Sequence, residues 1–184
     1  MSEKASNKNN IKKMLIMGLD RGGKTSIVLC LKGIKNVASF SSINPTKGIQ
    51  RQTFRAYGSK FNVWDFGGQE QFRTDYIENF NKNIVGTDKI IFVVDIQDNK
   101  RYTLALEYLL NVIEKLQESK KAYDIDFSIF LHKYDPDLGI TNREFDEQKA
   151  DAFIEEIKDK IPSNFKFTLA KTSIYTIFQK ANIH

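Results

Sequence analysis

At 184 residues, 41% of them hydrophobic and 28% charged, the chain has the size and composition of one globular domain with a full core. It contains no run of 18 apolar residues, and its amino terminus is polar, so neither a membrane span nor a signal peptide is expected and a cytoplasmic protein is. The net charge of +5 is concentrated at one end, and no face of Lys and Arg interleaved with aromatic residues speaks for nucleic acid as a partner.

Residues 1–10 read as a flexible basic arm in front of a single domain over 11–184. Lys4, Lys8, Lys12 and Lys13 against Glu3 put +3 of the charge into the first 13 residues. Four lysines without an apolar anchor give only weak or indirect attraction to an anionic membrane, so any membrane contact is expected to be peripheral. Ser2 in place of glycine speaks against myristoylation.

An apolar strand is predicted over 11–17, and it runs directly into Gly-Leu-Asp-Arg-Gly-Gly-Lys-Thr at 18–25 and a helix that fades near Lys32 and Gly33. The pattern G-x(4)-G-K-[ST] between a strand and a helix is a P-loop. Its glycines let successive backbone N–H groups curl around phosphates, and the helix adds its positive end. Asp20, Arg21, Gly22, Gly23, Lys24, Thr25 and Ser26 are therefore candidate nucleotide-binding residues. Lys24 would reach the outer phosphates and the Thr25 hydroxyl would ligate magnesium. Asp20 is unfavourable beside phosphate, and Arg21 reads as an exposed arginine. Cys30, the one cysteine, reads as a small buried thiol.

Residues 33–48 lack a sustained period and read as a long functional loop containing Pro45-Thr46-Lys47-Gly48. Strands over 49–57 and 61–66, joined at Gly58-Ser59-Lys60, form a hairpin, and a polar, partly helical segment spans 70–87. A strand over 89–95 carries Ile-Ile-Phe-Val-Val, the continuous run of a parallel strand covered on both faces. A helix over 102–116 follows, with Leu106, Leu109, Leu110, Ile113 and Leu116 on one side. A strand over 125–131, a helix over 142–160 stopped by Pro162, a strand over 165–170 and a helix over 173–181 complete the chain. The implied fold is α/β in three layers: a mostly parallel six-stranded sheet with one antiparallel strand and helices on both faces.

In such a sheet ligands bind at the carboxyl ends of the strands, where the remaining motifs fall. Asp65 ends its strand in Asp-Phe-Gly-Gly-Gln and is placed to hold magnesium, with Thr46 supplying a second hydroxyl. Gly68 leaves room for its N–H to approach a terminal phosphate, and Gln69 can donate and accept at once, as the orienting of an attacking water requires. Lys24, Thr46 and Gln69 are the catalytic candidates. Asp135 would accept the paired N1–H and 2-amino hydrogens that guanine offers and adenine does not. Lys133 would lie over the base, and the backbone at Ser173 and Ile174 would meet its exocyclic oxygen. His132 stands where an asparagine is commoner.

These motifs, in this order, resemble the Ras superfamily of small GTPases over residues 11 to about 181. Gly-Leu-Asp, Pro-Thr-x-Gly and Trp-Asp-Phe-Gly-Gly-Gln resemble the Arf branch. His132-Lys133-Tyr134-Asp135 and Thr172-Ser173-Ile174-Tyr175 resemble the Rag GTPases. The resemblance implies a P-loop NTPase G domain that holds GTP or GDP with magnesium and hydrolyses GTP slowly without an activating protein. It also implies exchange proteins and effectors at the switch loops. The Rag likeness allows instead a binding module with little hydrolysis, one half of a dimer. Ile49, Trp64, Phe72, Tyr76 and Phe80 form an apolar set that suits either core packing or a partner surface.

Overall fold

The computed structural model describes residues 11–34, 36–56, 58–119 and 124–174. The apolar runs become β1 (Ile11–Gly18), β4 (Lys89–Asp95) and β5 (Asp126–His132), flanked by the hairpin β2 (Ile49–Ala56) and β3 (Ser59–Phe66) and by β6 (Thr168–Lys171). Their order is β2-β3-β1-β4-β5-β6, and among the described residues only the hairpin pair β2–β3 is antiparallel. Side chains alternate across the sheet, so β1 sends Leu15 and Met17 to one face and Met14 and Ile16 to the other, and β4 divides in the same way. Both faces therefore need a cover. The larger core lies under α5 (Tyr102–Glu118) and α7 (Glu147–Lys160), with α3 (Glu70–Glu78) and α4 (Phe80–Asn83) beside them. The smaller core lies under α1 (Lys24–Leu31).

The six strands and their directions are those expected from the sequence, and several boundaries differ for local reasons. The stretch read as a continuous loop over 33–48 contains the short helix α2 (Val37–Ser41), whose Asn36 side chain accepts from the Ala38 N–H at 3.0 Å. Five residues are too few to show a helical period. The helix expected over 142–160 starts only at α7, because Asp146 caps it by accepting from the Lys149 N–H at 3.1 Å, and the short helix α6 (Leu138–Thr141) precedes the expected range. The strand expected over 165–170 is shifted to β6, over 168–171, since the Phe165 N–H closes a turn on the Pro162 carbonyl at 2.8 Å. Cys30 is partly exposed rather than buried, and desolvation still pushes its thiol pKa up. The arm over 1–10 and the helix expected over 173–181, from residue 175 on, lie outside the described residues.

Register places the site. Gly18 of β1 stands beside Val93 of β4, and Asp95 beside His132 of β5. The segments leaving β1, β4 and β5 therefore emerge along one edge of the sheet.

Candidate functional site

That edge holds a cleft of about 410 Å³. Residues 20–26 form one wall, residues 43–46 with Phe40 the other, and residues 67–69 and Lys133 complete it. The wall over 20–26 turns through two left-handed positions, Arg21 at φ 61° and Gly23 at φ 86°. A Cβ at Gly23 would stand 2.5 Å from the His132 ring, so glycine is required there by conformation and by space. Gly23 caps α1 without a side-chain bond, and the first turn of α1 has no acidic residue. Its N–H groups and positive end are left to whatever enters the cleft, and an anion suits them.

Lys24 is 6% exposed, and its ammonium donates to the Leu19 carbonyl at 2.6 Å. Burial pushes its pKa down to about 8, while Asp65 and Asp20 pull the other way. An ammonium has three donors, so this buried cation retains bonding capacity for phosphate oxygens.

Below it, Thr25, Thr46 and Asp65 converge. The Thr25 hydroxyl donates to Asp65 Oδ2 at 2.6 Å, the Thr46 hydroxyl to the same oxygen at 3.1 Å, and the two hydroxyls are 3.1 Å apart. Asp65 is fully buried, and its Oδ1 has no hydrogen-bond partner among the described residues. Burial raises its pKa, against the bonds from Thr25 and Thr46 and the charge of Lys24. A hard cation that takes oxygen ligands fits this set, because it would compensate the buried carboxylate that the protein leaves half-satisfied.

Thr46 comes from the long loop, and two bonds tie that loop to the segment after β3. The Gly67 N–H donates to the Gly48 carbonyl at 2.9 Å, and the Tyr76 hydroxyl to the same carbonyl at 2.7 Å. A Cβ at Gly68 would overlap the backbone of Leu19 and Asp20, so the chain passes against the P-loop there as only glycine can. Gln69 follows at the start of α3 and lines the cleft. Two members of the apolar set belong to the core: Tyr76 and Phe80 are 1% and 2% exposed. Ile49, Trp64 and Phe72 are partly buried against that core. The Lys13 ammonium lies 3.8 Å and the Arg51 guanidinium 4.1 Å from the centre of the Trp64 ring.

The base-reading candidates gather at the end of β5. His132 is buried against Gly23, with Nδ1 3.0 Å from the Thr172 hydroxyl. The imidazole thus touches both the P-loop and the segment after β6. Lys133 is left-handed at φ 62° and pairs with Asp95 at 2.5 Å. Asp135 accepts from the Ser173 hydroxyl on Oδ1 and from Gln97 Nε2 at 3.4 Å on Oδ2. Ile174 packs its side chain against the smaller core, which leaves its backbone as the part a ligand would meet.

Sequence reasoning missed Gln97 and Asn142. Gln97 Nε2 also donates to the Lys133 carbonyl at 2.8 Å, and Gln97 Oε1 accepts from Asn142 at 3.1 Å. Gln97 therefore braces the whole turn that carries Lys133 and Asp135. It belongs to no motif, and only the pairing of β4 with β5 brings it there. The structure also resolves the difficulty of Asp20, whose carboxylate is turned to Arg101 at 2.7 Å, while the Arg21 side chain is 86% exposed.

His132 carries a pH dependence. Burial lowers its pKa from 6.5, Lys133 acts in the same direction, and Asp95, Asp135 and Thr172 oppose them. The folded protein thus binds fewer protons at this site than the unfolded chain, so its contribution to stability is complete above about pH 6.5 and declines as pH falls towards the folded pKa. His132→Asn is expected to flatten the acid limb of a plot of Tm against pH below about pH 6.5. An unchanged limb would mean that another group sets it.

The P-loop, the Thr–Thr–Asp oxygen cluster and the Lys-x-Asp turn thus meet at the ends of β1, β3 and β5. The model of the ADP-ribosylation factor family matches residues 1–177. The chain belongs to this family.

Its relatives agree. ADP-ribosylation factor-like protein 2 of Dictyostelium discoideum is 31% identical over 142 residues, 77% of this chain and 71% of that one. The factor-like protein alp41 of Schizosaccharomyces pombe is 32% identical over 72% of this chain, and factor-like protein 3 of Caenorhabditis elegans 36% over 67%. The matched stretch spans 64% and 61% of those two relatives. The structure of the Arl6 BBS3 small GTPase of Trypanosoma brucei with bound GppNp superimposes with a TM-score of 0.62 at 20% identity, covering 89% of this chain and 87% of that one. That likeness establishes the G-domain fold, and family membership makes the chain an Arf-like GTP-binding small GTPase.

Proposed function

We propose that this Arf-family protein is a magnesium-dependent switch that hydrolyses GTP to GDP and phosphate. The observation that carries the reading is the convergence of Thr25, Thr46 and Asp65 within 3.1 Å, because it joins the long loop to the P-loop at one cation-shaped point. In this reading the backbone over 20–26 and Lys24 hold the phosphates, while Thr25, Thr46 and Asp65 hold the ion. Bound magnesium would supply positive charge to the phosphate oxygens. The Gly68 N–H meets the terminal phosphate and Gln69 orients the attacking water. Asp135 reads guanine, Lys133 covers it, and Ser173 and Ile174 meet its oxygen. Residues 11–184 then form one G domain behind a basic arm, in the cytoplasm and at most peripherally at a membrane.

Loss of the terminal phosphate would remove the ligand of Gly68 and a partner of the ion that Thr46 holds, and the two loops would relax together through the Gly48 carbonyl. Chemistry of this kind is positioning plus charge stabilisation, so unaided turnover is slow and an activating protein is implied. Exchange proteins and effectors would meet the switch surface at Ile49, Trp64 and Phe72 rather than at the buried Tyr76 and Phe80. Gln69→Leu is expected to keep GTP affinity within about threefold while slowing single-turnover hydrolysis about tenfold or more. Unchanged hydrolysis would remove Gln69 from the mechanism. A wild-type protein that binds GTP without turnover would favour the Rag-like alternative, a guanine-nucleotide-binding module within a dimer.

A further inference from the structure

Asp20 places a carboxylate in the turn that cradles the phosphates, and a carboxylate beside a polyphosphate is repelled. Something must neutralise it. Arg21, its neighbour, is 4.0 Å away and 86% exposed, too loose and too solvated to do so. Arg101 is differently placed. It ends the 3-10 turn Asn99–Arg101 before α5, on the side of the P-loop away from the cleft. Its Nη1 binds Asp20 Oδ1 at 2.7 Å, its Nη2 donates to the Asp20 carbonyl at 3.1 Å, and its Nε binds Asp98 Oδ2 at 2.5 Å. All three nitrogens are engaged, two of them on Asp20. A planar fork can do this, and the single ammonium of a lysine cannot.

We infer that Arg101 is a positioning residue for triphosphate recognition, which holds the Asp20 carboxylate out of the phosphate cradle. Asp98 holds the guanidinium through Nε, a second anchor besides Asp20. The bond to the Asp20 carbonyl fixes the backbone immediately before Arg21, where the turn goes left-handed. The inference rests on the reading of the cleft as a triphosphate site, and it adds a residue 81 positions away from the P-loop residue it serves.

The test is a double-mutant cycle in GTP affinity, by titration calorimetry with magnesium at low and high salt. With Asp20 present, Arg101→Gln frees the carboxylate and is expected to weaken GTP binding about tenfold at low salt, with a smaller loss at high salt. In an Asp20→Asn background the same change should cost less than about threefold, because no charge is left to restrain. Arg101→Lys, which keeps the charge and loses the fork, should fall between them and serves if Arg101→Gln does not fold by thermal melting. An equal loss in both backgrounds, insensitive to salt, would make Arg101 a structural brace and overturn the inference. So would no loss in either. A folded wild-type protein that does not bind GTP would overturn the reading of the cleft itself.

Discussion

Lys24→Met is expected to raise the stability of the nucleotide-free protein while nearly abolishing its affinity for GTP. The ammonium is buried to 6% exposure and its pKa is displaced from 10.5 to about 8. A displacement of that size corresponds to roughly 3 kcal/mol of unfavourable burial at neutral pH. Methionine fills a similar volume without the charge, at the cost of about 1 kcal/mol for the lost bond to the Leu19 carbonyl. The balance favours the variant by about 1–3 kcal/mol in the empty state. With phosphates in the cleft the balance reverses, since each charge-assisted bond lost is worth about 1.5–3 kcal/mol, and two of them amount to about a hundredfold or more in Kd. Thermal unfolding without nucleotide and calorimetric titration with GTP measure the two halves. If Tm and affinity both fall, the Lys24 charge is not held in readiness for an anion.

Asp135→Asn is expected to replace guanine preference by xanthine preference, with GTP weakened by about two orders of magnitude or more. Two side-by-side carboxylate oxygens accept from the two adjacent donors of guanine. An amide offers one acceptor and one donor, which suits the carbonyl that xanthine carries in place of the 2-amino group. Ser173 and Gln97 hold the carboxylate from behind, one on each oxygen, and each oxygen retains a lone pair for the base. Competition between GTP and XTP for the purified variant reads the change. An unaltered preference would mean that Asp135 does not face the base.

The parts of the site legible in the sequence were those whose chemistry is contiguous. Residues 18–25 carry their own glycines, lysine and hydroxyl, and the apolar strand before them fixes their place at a strand end. Asp65-Phe66-Gly67-Gly68-Gln69 and His132-Lys133-Tyr134-Asp135 are readable for the same reason. The sheet was legible because Ile90 to Val94 are apolar on both faces, which only a covered parallel strand tolerates. What escaped was assembled across the chain. Arg101 meets Asp20 from 81 residues away, and Asn142 meets Gln97 from 45. No local pattern marks either pair. Tyr76 and Phe80 sat in a polar segment that left core packing and a partner surface both open, and their burial depends on how α3 and α4 dock on α5. His132 was read as a departure from asparagine. Its contact with Gly23 is visible only once β1 and β5 lie on either side of β4.

The measurement that bears most directly on the proposed switch is single-turnover hydrolysis of γ-labelled GTP beside ATP by the purified protein, with magnesium and after its removal by EDTA. A guanine-specific switch releases phosphate slowly from GTP, on the order of one turnover per hour, none from ATP, and loses both turnover and bound nucleotide when magnesium is withdrawn. Equal hydrolysis of ATP, or GTP turnover indifferent to magnesium, would contradict the assignment of Asp135 to the base and of Thr25, Thr46 and Asp65 to the ion.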